Sequence, residues 1–422
     1  MKKLKVVETF SGIGSQAKAL SRLKEKGILD YTIVNTADWD INAIMAYCMI
    51  HKKDFCIDDY TETDREIYDF LSKLTLSSDG KKPMSENALK LLSPEVRKQL
   101  YGAIKATNNL VSVTDIKGED IQEDTDILTY SFPCQDLSIC GYWHGNFSGI
   151  DREAHNRSGM LWEIERILLE MSELNKELPK FLLMENVTNI LSPKHIDNFN
   201  DWKNTLERLG YINIVYCLNA KNFGIPQQRK RAYMISILCN HNSVKEKIVK
   251  DYFEKNSLEK RSPSKIRLSL NDILSISMNS ENYEKEALLS TPNDTKSRRR
   301  IYQDNDHLLI DGKVQENCII KTLTTKQDRN PNSGVIEFKN NIEGKAQWRY
   351  LTPRECFMLM GFDNEDFEKV VSNKYIRNKK NRTKYYYSND LLVKMAGNSI
   401  VVDVLEAIFG QISDVSNFLD EY

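Results

Sequence analysis

Two residues of this chain stand where side chains could do covalent chemistry. Cys134 lies at the end of Leu128-Thr129-Tyr130-Ser131-Phe132-Pro133-Cys134-Gln135, an apolar β-type run that stops at Pro133 and delivers a thiol at the start of a long polar loop. Most buried cysteines are small inert hydrophobes, so the thiol alone argues little. A nucleophilic reading requires the thiolate, and therefore positive potential or a helix end beside it. Glu185 follows a second apolar run, Phe181-Leu182-Leu183-Met184. Partial burial and a facing anion raise the pKa of a carboxyl there and suit it to general acid work. A plainer role for Glu185 is to cap the turn into Val187-Thr188-Asn189.

The elements that must position these groups alternate between strand and helix. Lys5 to Phe10 reads as a buried strand, followed by the turn Ser11-Gly12-Ile13-Gly14-Ser15 and a helix with Ala17, Ala19, Leu20 and Leu23 on its apolar face. Two glycines let backbone approach a ligand, and the helix start offers free N–H groups. The third glycine of the dinucleotide fingerprint is missing, which argues against NAD. Tyr31 to Ala37 is a second strand ending in Asp38-Trp39-Asp40, where an acid could bond a ribose diol and Trp39 could stack on an adenine face. Asp40 could instead cap the following helix. Residues 52–110 interrupt the rhythm as a polar, helical insertion on the surface of the first domain, with Ser93-Pro94 as an N-cap and N1 pair.

Alternation resumes with Val111-Ser112-Val113 leading to Asp115-Ile116, then Asp126 to Phe132 as the central strand and Ser158 to Met171 as a helix. Phe181 to Met184 is a strand, Trp202, Leu206 and Leu209 mark a helix ended by Gly210, and 212–218 with 232–237 forms an antiparallel pair closing the sheet. The expected class is therefore α/β, a mostly parallel sheet with helices on both faces and ligands at the strand carboxyl ends. Asp38, Asp115, Cys134 and Glu185 are all expected at those ends.

A chain of 422 residues suggests more than one core. The expected division is a catalytic domain over 1–239, a smaller domain over 240–345 where the period is lost, a hinge and part of the small domain over 346–396, and a segment over 397–422 that returns to the first domain. One helix is expected near Leu268 to Ile276 and another, N-capped by Thr352 with Pro353 at N1, through Gly361. Eight cysteines form no CxxC pair, so neither zinc nor a disulfide framework is indicated. No run reaches the roughly 18 apolar residues of a membrane span, and a cytoplasmic address is expected. The net charge of −1 does not advertise a nucleic-acid partner. The runs at 296–300 and 377–384 could nevertheless line a basic cleft, or be ordinary solvated faces.

A thiol that adds to C6 of a pyrimidine, with an acid at ring N3, makes C5 nucleophilic toward a methyl sulfonium donor. The motifs agree with that chemistry, and the chain resembles the bacterial DNA (cytosine-5-)-methyltransferases of the restriction-modification kind. Phe10-Ser11-Gly12-Ile13-Gly14 matches the family's donor-binding FxGxG, Asp38-Trp39 its acidic-Trp pair and Asp115-Ile116 the pair contacting the donor adenine. Pro133-Cys134-Gln135 matches the catalytic motif, Glu185-Asn186-Val187 the ENV motif, and Gln227-Gln228-Arg229-Lys230-Arg231 the QxRxR motif. Arg349 to Gly361 resembles the helix-bearing ninth motif, and Gly397-Asn398-Ser399 the last, in the family's order.

The resemblance implies a Rossmann-like methyltransferase sheet and a target-recognition domain over 240–345. It implies that Cys134 attacks C6, Glu185 engages N3 and the exocyclic amine, Arg231 holds O2, and Arg229 supports the site or a nearby phosphate. Phe10, Gly12, Gly14, Asp38, Trp39, Asp115, Ile116, Pro133, Leu161 and Asn398 would hold S-adenosylmethionine. Chemistry on a cytosine of double-stranded DNA requires the base to be flipped out. The loop from Gln135 to about Ser158, with Gly141, Gly145, Gly149, Arg152, His155 and Arg157, suits a lid; Gln135 and Ser138 would meet the DNA. His144 and His155 fit backbone contacts better than metal ligation, and no metal is expected. Thr322-Leu323 resembles the pair that ends the recognition domain, and Lys326, Gln327, Arg329 and Asn332 after it could read bases. The paired glycines usual after that pair are absent. A monomer reading a short palindrome, with a cognate restriction endonuclease as functional partner, is expected. The alternatives are a tRNA cytosine-5 methyltransferase and a catalytically silent DNA-binding relative.

Overall fold

The computed structural model describes residues 3–134, 137, 150–151, 157–261, 267–315, 318–329, 332–372 and 386–419. Its first half is the alternating unit β1 (Lys3–Thr9), α1 (Ser15–Glu25), β2 (Asp30–Ala37), α2 (Ile41–His51), α3 (Asp64–Leu71), α4 (Glu86–Lys90), α5 (Pro94–Ala106), β3 (Ile127–Tyr130), α6 (Leu161–Glu173), β4 (Phe181–Val187), α7 (Ile196–Arg208), β5 (Tyr211–Asn219) and β6 (Lys230–Leu238). The sheet order is β2-β1-β3-β4-β6-β5. The first four strands run parallel, and β6 is antiparallel to both β4 and β5. This is the expected α/β sheet with its closing antiparallel pair.

Strand periodicity decides which face each side chain joins. In β4, Leu182 and Met184 pack with Leu161, Ile164 and Leu168 of α6 and with Trp202 of α7. Phe181 and Leu183 face the other way, into the core that contains Leu20 of α1 and Ile44 of α2. Glu185 continues the Phe181–Leu183 row, so its carboxyl is carried on that second face. Both faces are buried, which is why these strands read as nearly continuous apolar runs. At the bottom of the first face, Trp202 Nε1 donates to the hydroxyl of Tyr130 at 3.0 Å.

Residues 52–110 contain α3, α4 and α5, and α5 packs Val96, Leu100, Ala103 and Ile104 into the same core as α2. Ser93 caps α5 by accepting from Val96 N–H, with Pro94 at the first turn. Beyond it, Leu110 N–H donates to Thr36 O at 2.8 Å, but Val111 takes φ +65° and turns the backbone off the sheet edge. Asp115 therefore sits in a turn rather than at the end of a strand. Of the four groups expected at strand ends, Asp38 directly follows β2, Cys134 lies four residues past β3, and Glu185 lies within β4, two residues from its end.

The second half contains α8 (Ser243–Lys255), α9 (Leu270–Met278), α10 (Tyr283–Leu289), α11 (Lys296–Asp304), β7 (His307–Ile310), β8 (Lys313–Val314), β9 (Val335–Glu337) and β10 (Trp348–Arg349). The four short strands form their own sheet in the order β10-β9-β7-β8. Strands of two to four residues carry too little periodicity to be read from sequence. The Lys296-Ser297-Arg298-Arg299-Arg300 run turns out to open α11. The chain ends in α12 (Pro353–Leu359), α13 (Asn364–Val371), α14 (Asn389–Asn398) and α15 (Val402–Leu419). Thr352 caps α12 in a reciprocal capping box with Glu355, and that carboxylate also makes a fully buried bidentate pair with Arg349 at 2.8 and 2.9 Å. Helix α15 returns to the first sheet and packs along α1.

One buried charge sets a pH dependence. Glu8, next to the last residue of β1, is fully buried and accepts from Tyr47 OH at 2.6 Å. Burial pushes its carboxyl from 4.5 up to about 7. Between those values the folded chain holds a proton that the unfolded chain has released, so stability falls as the pH rises through this window and stays lower above it. The loss amounts to about 3 kcal/mol. Urea unfolding of Glu8→Gln between pH 4.5 and 8 is expected to lack this decline, which parallel pH slopes for the two proteins would contradict.

Candidate active site

Three segments converge at the carboxyl end of β3 and β4. The Cys134 loop is held by amides in and just after β4: Asn186 Nδ2 donates to Phe132 O at 3.0 Å, and Asn189 Nδ2 to Leu137 O at 2.7 Å. Leu137 N–H closes a turn onto Cys134 O at 3.1 Å. The loop is also tied to the end of β1, where Ser131 Oγ donates to Phe10 O at 3.5 Å. Asn186 and Asn189 were not assigned roles from sequence. The signal was there, because an amide ending an apolar strand needs a partner when buried.

Glu185 and Arg231 meet across the antiparallel β4–β6 pair. Val187 is paired with Arg231 and Glu185 with Tyr233, a register that brings the Glu185 and Arg231 side chains together. Arg231 Nε lies 3.4 Å from Glu185 Oε1, and both side chains are largely buried. Arg229, just before β6, is buried in the same neighbourhood.

These groups form one electrostatic cluster. Burial pushes the Glu185 carboxyl up, with Arg231 and then Arg229 opposing the shift. Burial and then Glu185 push the Cys134 thiol up, while Arg231 and Arg229 pull it down. Burial and Arg231 push the Arg229 guanidinium down to about 9, so it stays charged at neutral pH. The site at rest thus pairs a neutral thiol with a carboxyl inclined to hold its proton, beside two cations that would favour a thiolate once it forms.

At the end of β1 the backbone bends sharply. Phe10 and Gly12 both take positive φ, and no atom lies within 4 Å of where a Gly12 Cβ would be. Gly12 N–H donates to Asp38 Oδ2 at 2.9 Å and Asp40 N–H to Asp38 Oδ1 at 2.8 Å. Burial and Asp40 push the Asp38 carboxyl up to about 6. Asp40 does cap α2, accepting from Asn42 N–H. Trp39 and Pro133 are half-buried, and Asp115 and Asn398 are exposed.

A sequence profile described as C-5 cytosine-specific DNA methylase matches residues 93–414. The chain belongs to this family. It is a DNA (cytosine-5-)-methyltransferase. It is 34% identical to the orphan methyltransferase M.SssI of Spiroplasma monobiae, with 97% of each chain covered. It is 32% identical to the type II methyltransferase M2.ScrFI of Lactococcus lactis subsp. cremoris, covering 97% of this chain and 99% of that one. Among solved structures it is similar in fold to the S. pombe Dnmt2 methyltransferase, with TM-score 0.57 and 17% identity over 99% of both chains. The Entamoeba histolytica methyltransferase EhMeth has TM-score 0.53 and 15% identity over 98% of this chain and 99% of that one.

Several sequence readings of this methyltransferase need correction. Gln327 is not free to read a base: it is buried, donates from Nε2 to Leu351 O at 2.8 Å and accepts from Leu351 N–H at 3.0 Å. Asn332 is likewise buried, with its side chain bonded to Gln327 O and Gly334 N–H. Both are internal braces of the loop after Leu323, which leaves Lys326 and Arg329 as its exposed cations. Arg229 reaches no surface where a phosphate could lie. Its guanidinium donates to Leu323 O at 2.8 Å, Gly397 O at 3.0 Å and Ser399 O at 2.9 Å. Beside it Gln227 donates to Leu359 O and accepts from Leu323 N–H. The QxRxR stretch therefore ties the chain at Leu323, Leu359 and 397–399 to the first sheet.

Gly14 is glycine for packing reasons. A Cβ there would lie 2.2 Å from the His51 ring. Ile116 and Leu161 are fully buried in the core under α6. Arg157 opens a single 3-10 turn ahead of α6. Gln135, Ser138, His144 and His155, with the glycines and Arg152 of the expected lid, lie outside the described residues, as does the basic run at 377–384. Among the described residues no cluster of His, Cys, Asp and Glu could hold a metal ion, and no helix is long and apolar enough to cross a membrane.

Proposed function

We propose that this enzyme methylates C5 of a cytosine flipped out of duplex DNA, with Cys134 as covalent nucleophile and S-adenosylmethionine as methyl donor. The observation that carries the reading is the cluster itself: a thiol just past β3 and a buried carboxyl on the neighbouring β4, the carboxyl 3.4 Å from Arg231, with Arg229 buried beside them. Sulfur of Cys134 bonds to C6 as its proton leaves. Glu185 holds a proton at N3, and electron density accumulates at C5. S-adenosylmethionine, when bound, would provide the electrophilic methyl group for C5, its sulfonium–methyl bond breaking to leave S-adenosylhomocysteine. Loss of the C5 proton to a base then expels the Cys134 thiolate from C6 and restores the aromatic ring.

The donor pocket fits the residues present. The open bend at Gly12, the start of α1, Asp38, Trp39, Asp115 and Asn398 would hold S-adenosylmethionine, with Phe10 and Pro133 at its edge. Ile116 and Leu161 would support it from beneath. Lys326 and Arg329 would contact DNA. In the cell the modification would protect host DNA from a cognate endonuclease, with the enzyme acting as a cytoplasmic monomer on a short palindrome.

The test is a covalent trap. A duplex carrying 5-fluorocytosine at the target has no C5 proton to lose, so the adduct is expected to persist. With S-adenosylmethionine present, a denaturation-resistant conjugate should map to Cys134. A conjugate at another residue, or none on a duplex that the enzyme methylates when it carries ordinary cytosine, would overturn the covalent role of Cys134. Bisulfite sequencing of DNA from an expressing host would then define the recognition sequence.

A further inference from the structure

The insertion at 52–110 meets the segment after β2 twice, at Asn109, whose Oδ1 accepts from Asp38 N–H at 3.4 Å, and at the turn 76–84. Leu76 to Met84 forms a compact turn: Met84 N–H donates to Leu76 O, Ser77 Oγ donates to Lys82 O at 2.7 Å, and Gly80 N–H donates back to Ser77 Oγ at 3.0 Å. This turn pairs with the segment after β2. Ser77 N–H donates to Trp39 O at 2.7 Å, Ile41 N–H to Ser77 O at 2.9 Å, and Asn42 Nδ2 to Ser78 O at 3.1 Å. The insertion is also anchored through α5, which packs on α2.

A third segment latches the pair. Lys394, on the helix that ends in Asn398, donates from Nζ to Asp79 O at 2.6 Å and to Asp40 Oδ2 at 3.3 Å. Gly80 has φ +65°, and a Cβ there would lie 3.1 Å from Asp40 Oδ2 and 3.6 Å from Lys394 Nζ. From Asp40 the bonds continue inward: its N–H reaches Asp38 Oδ1, and Asp38 Oδ2 receives Gly12 N–H. A continuous chain therefore runs from α14 and the inserted turn to the glycine bend.

We propose that the inserted turn and Lys394 together position Asp38 and Trp39, and so set the enzyme's affinity for its methyl donor without taking part in the chemistry. This rests on the assignment of S-adenosylmethionine to that bend. Lys394 is a positioning residue. Its ammonium holds Asp40 and the Asp79 carbonyl in one geometry, and charge-assisted bonds of this kind are among the stronger ones. Lys394→Met removes both contacts and keeps the length of the aliphatic stem.

The experiment compares full-length wild type, Lys394→Met, Lys394→Arg and Gly80→Ala by titration calorimetry with S-adenosylhomocysteine, alongside duplex-DNA affinity and kcat at saturating donor. Lys394→Met and Gly80→Ala are each expected to weaken S-adenosylhomocysteine binding about tenfold. Duplex-DNA affinity and kcat should stay within about twofold, and Lys394→Arg should recover most of the loss. Unchanged S-adenosylhomocysteine binding in Lys394→Met, or a fall in kcat and DNA affinity matching the fall in donor affinity, would overturn the positioning role. If wild type itself does not bind S-adenosylhomocysteine, the donor-site assignment fails instead.

Discussion

Cys134→Ala is expected to lower methyl incorporation into duplex DNA by about 10⁴-fold or more, because the step that makes C5 nucleophilic has no other route in this site. Substrate binding should survive. The loop around residue 134 is held through backbone carbonyls, by Asn186 on Phe132 O and Asn189 on Leu137 O, and these bonds do not depend on the thiol. The same substitution should abolish the 5-fluorocytosine conjugate while leaving the noncovalent complex visible in a gel shift. Retention of even a hundredth of the wild-type rate in a tritiated-methyl assay, about 3 kcal/mol of barrier, would be too much for a site whose nucleophile is gone.

Glu185→Gln is expected to cost about 10² to 10⁴ in kcat, the usual range for removing a positioned general acid. Its pH profile is more diagnostic than its size. Wild-type kcat/KM requires a deprotonated Cys134 and a protonated Glu185, which produces a bell. Burial raises both groups, so Glu185 retains its proton to higher pH than an exposed glutamate, and the rate falls once both groups have ionised. In Glu185→Gln only the thiol still titrates, and the rate should rise with pH without a falling limb. A bell that persists in Glu185→Gln would assign the acid role elsewhere. The substitution also frees Arg231, whose Nε lies 3.4 Å from the Glu185 carboxylate, so KM for DNA should be measured beside kcat.

Local sequence determined much of this enzyme. The first sheet was legible because its strands are buried on both faces and its helices carry apolar stripes, and both properties leave periodic marks. Residue chemistry could also single out Cys134 and Glu185, since a thiol and a carboxyl at the ends of apolar runs are unusual there. The caps at Ser93, Thr352 and Asp40 were readable for the same reason: each satisfies backbone N–H groups only a few residues away.

What tertiary structure decided involves partners far apart in the chain. The resemblance left Arg229 either supporting the site or meeting a phosphate, and its partners prove to be carbonyls at 323, 397 and 399. Gln327 has the side chain of a base reader, and only the approach of Leu351 turns it inward. The turn at 76–84 looked like surface until folding set it against Trp39 and Lys394. Periodicity and capping are short-range signals, carried by residues within a few positions of each other. A buried polar group takes whichever partner the packed chain brings within 3 Å, and that choice is made only when the sheet, the insertion and the returning helices have come together.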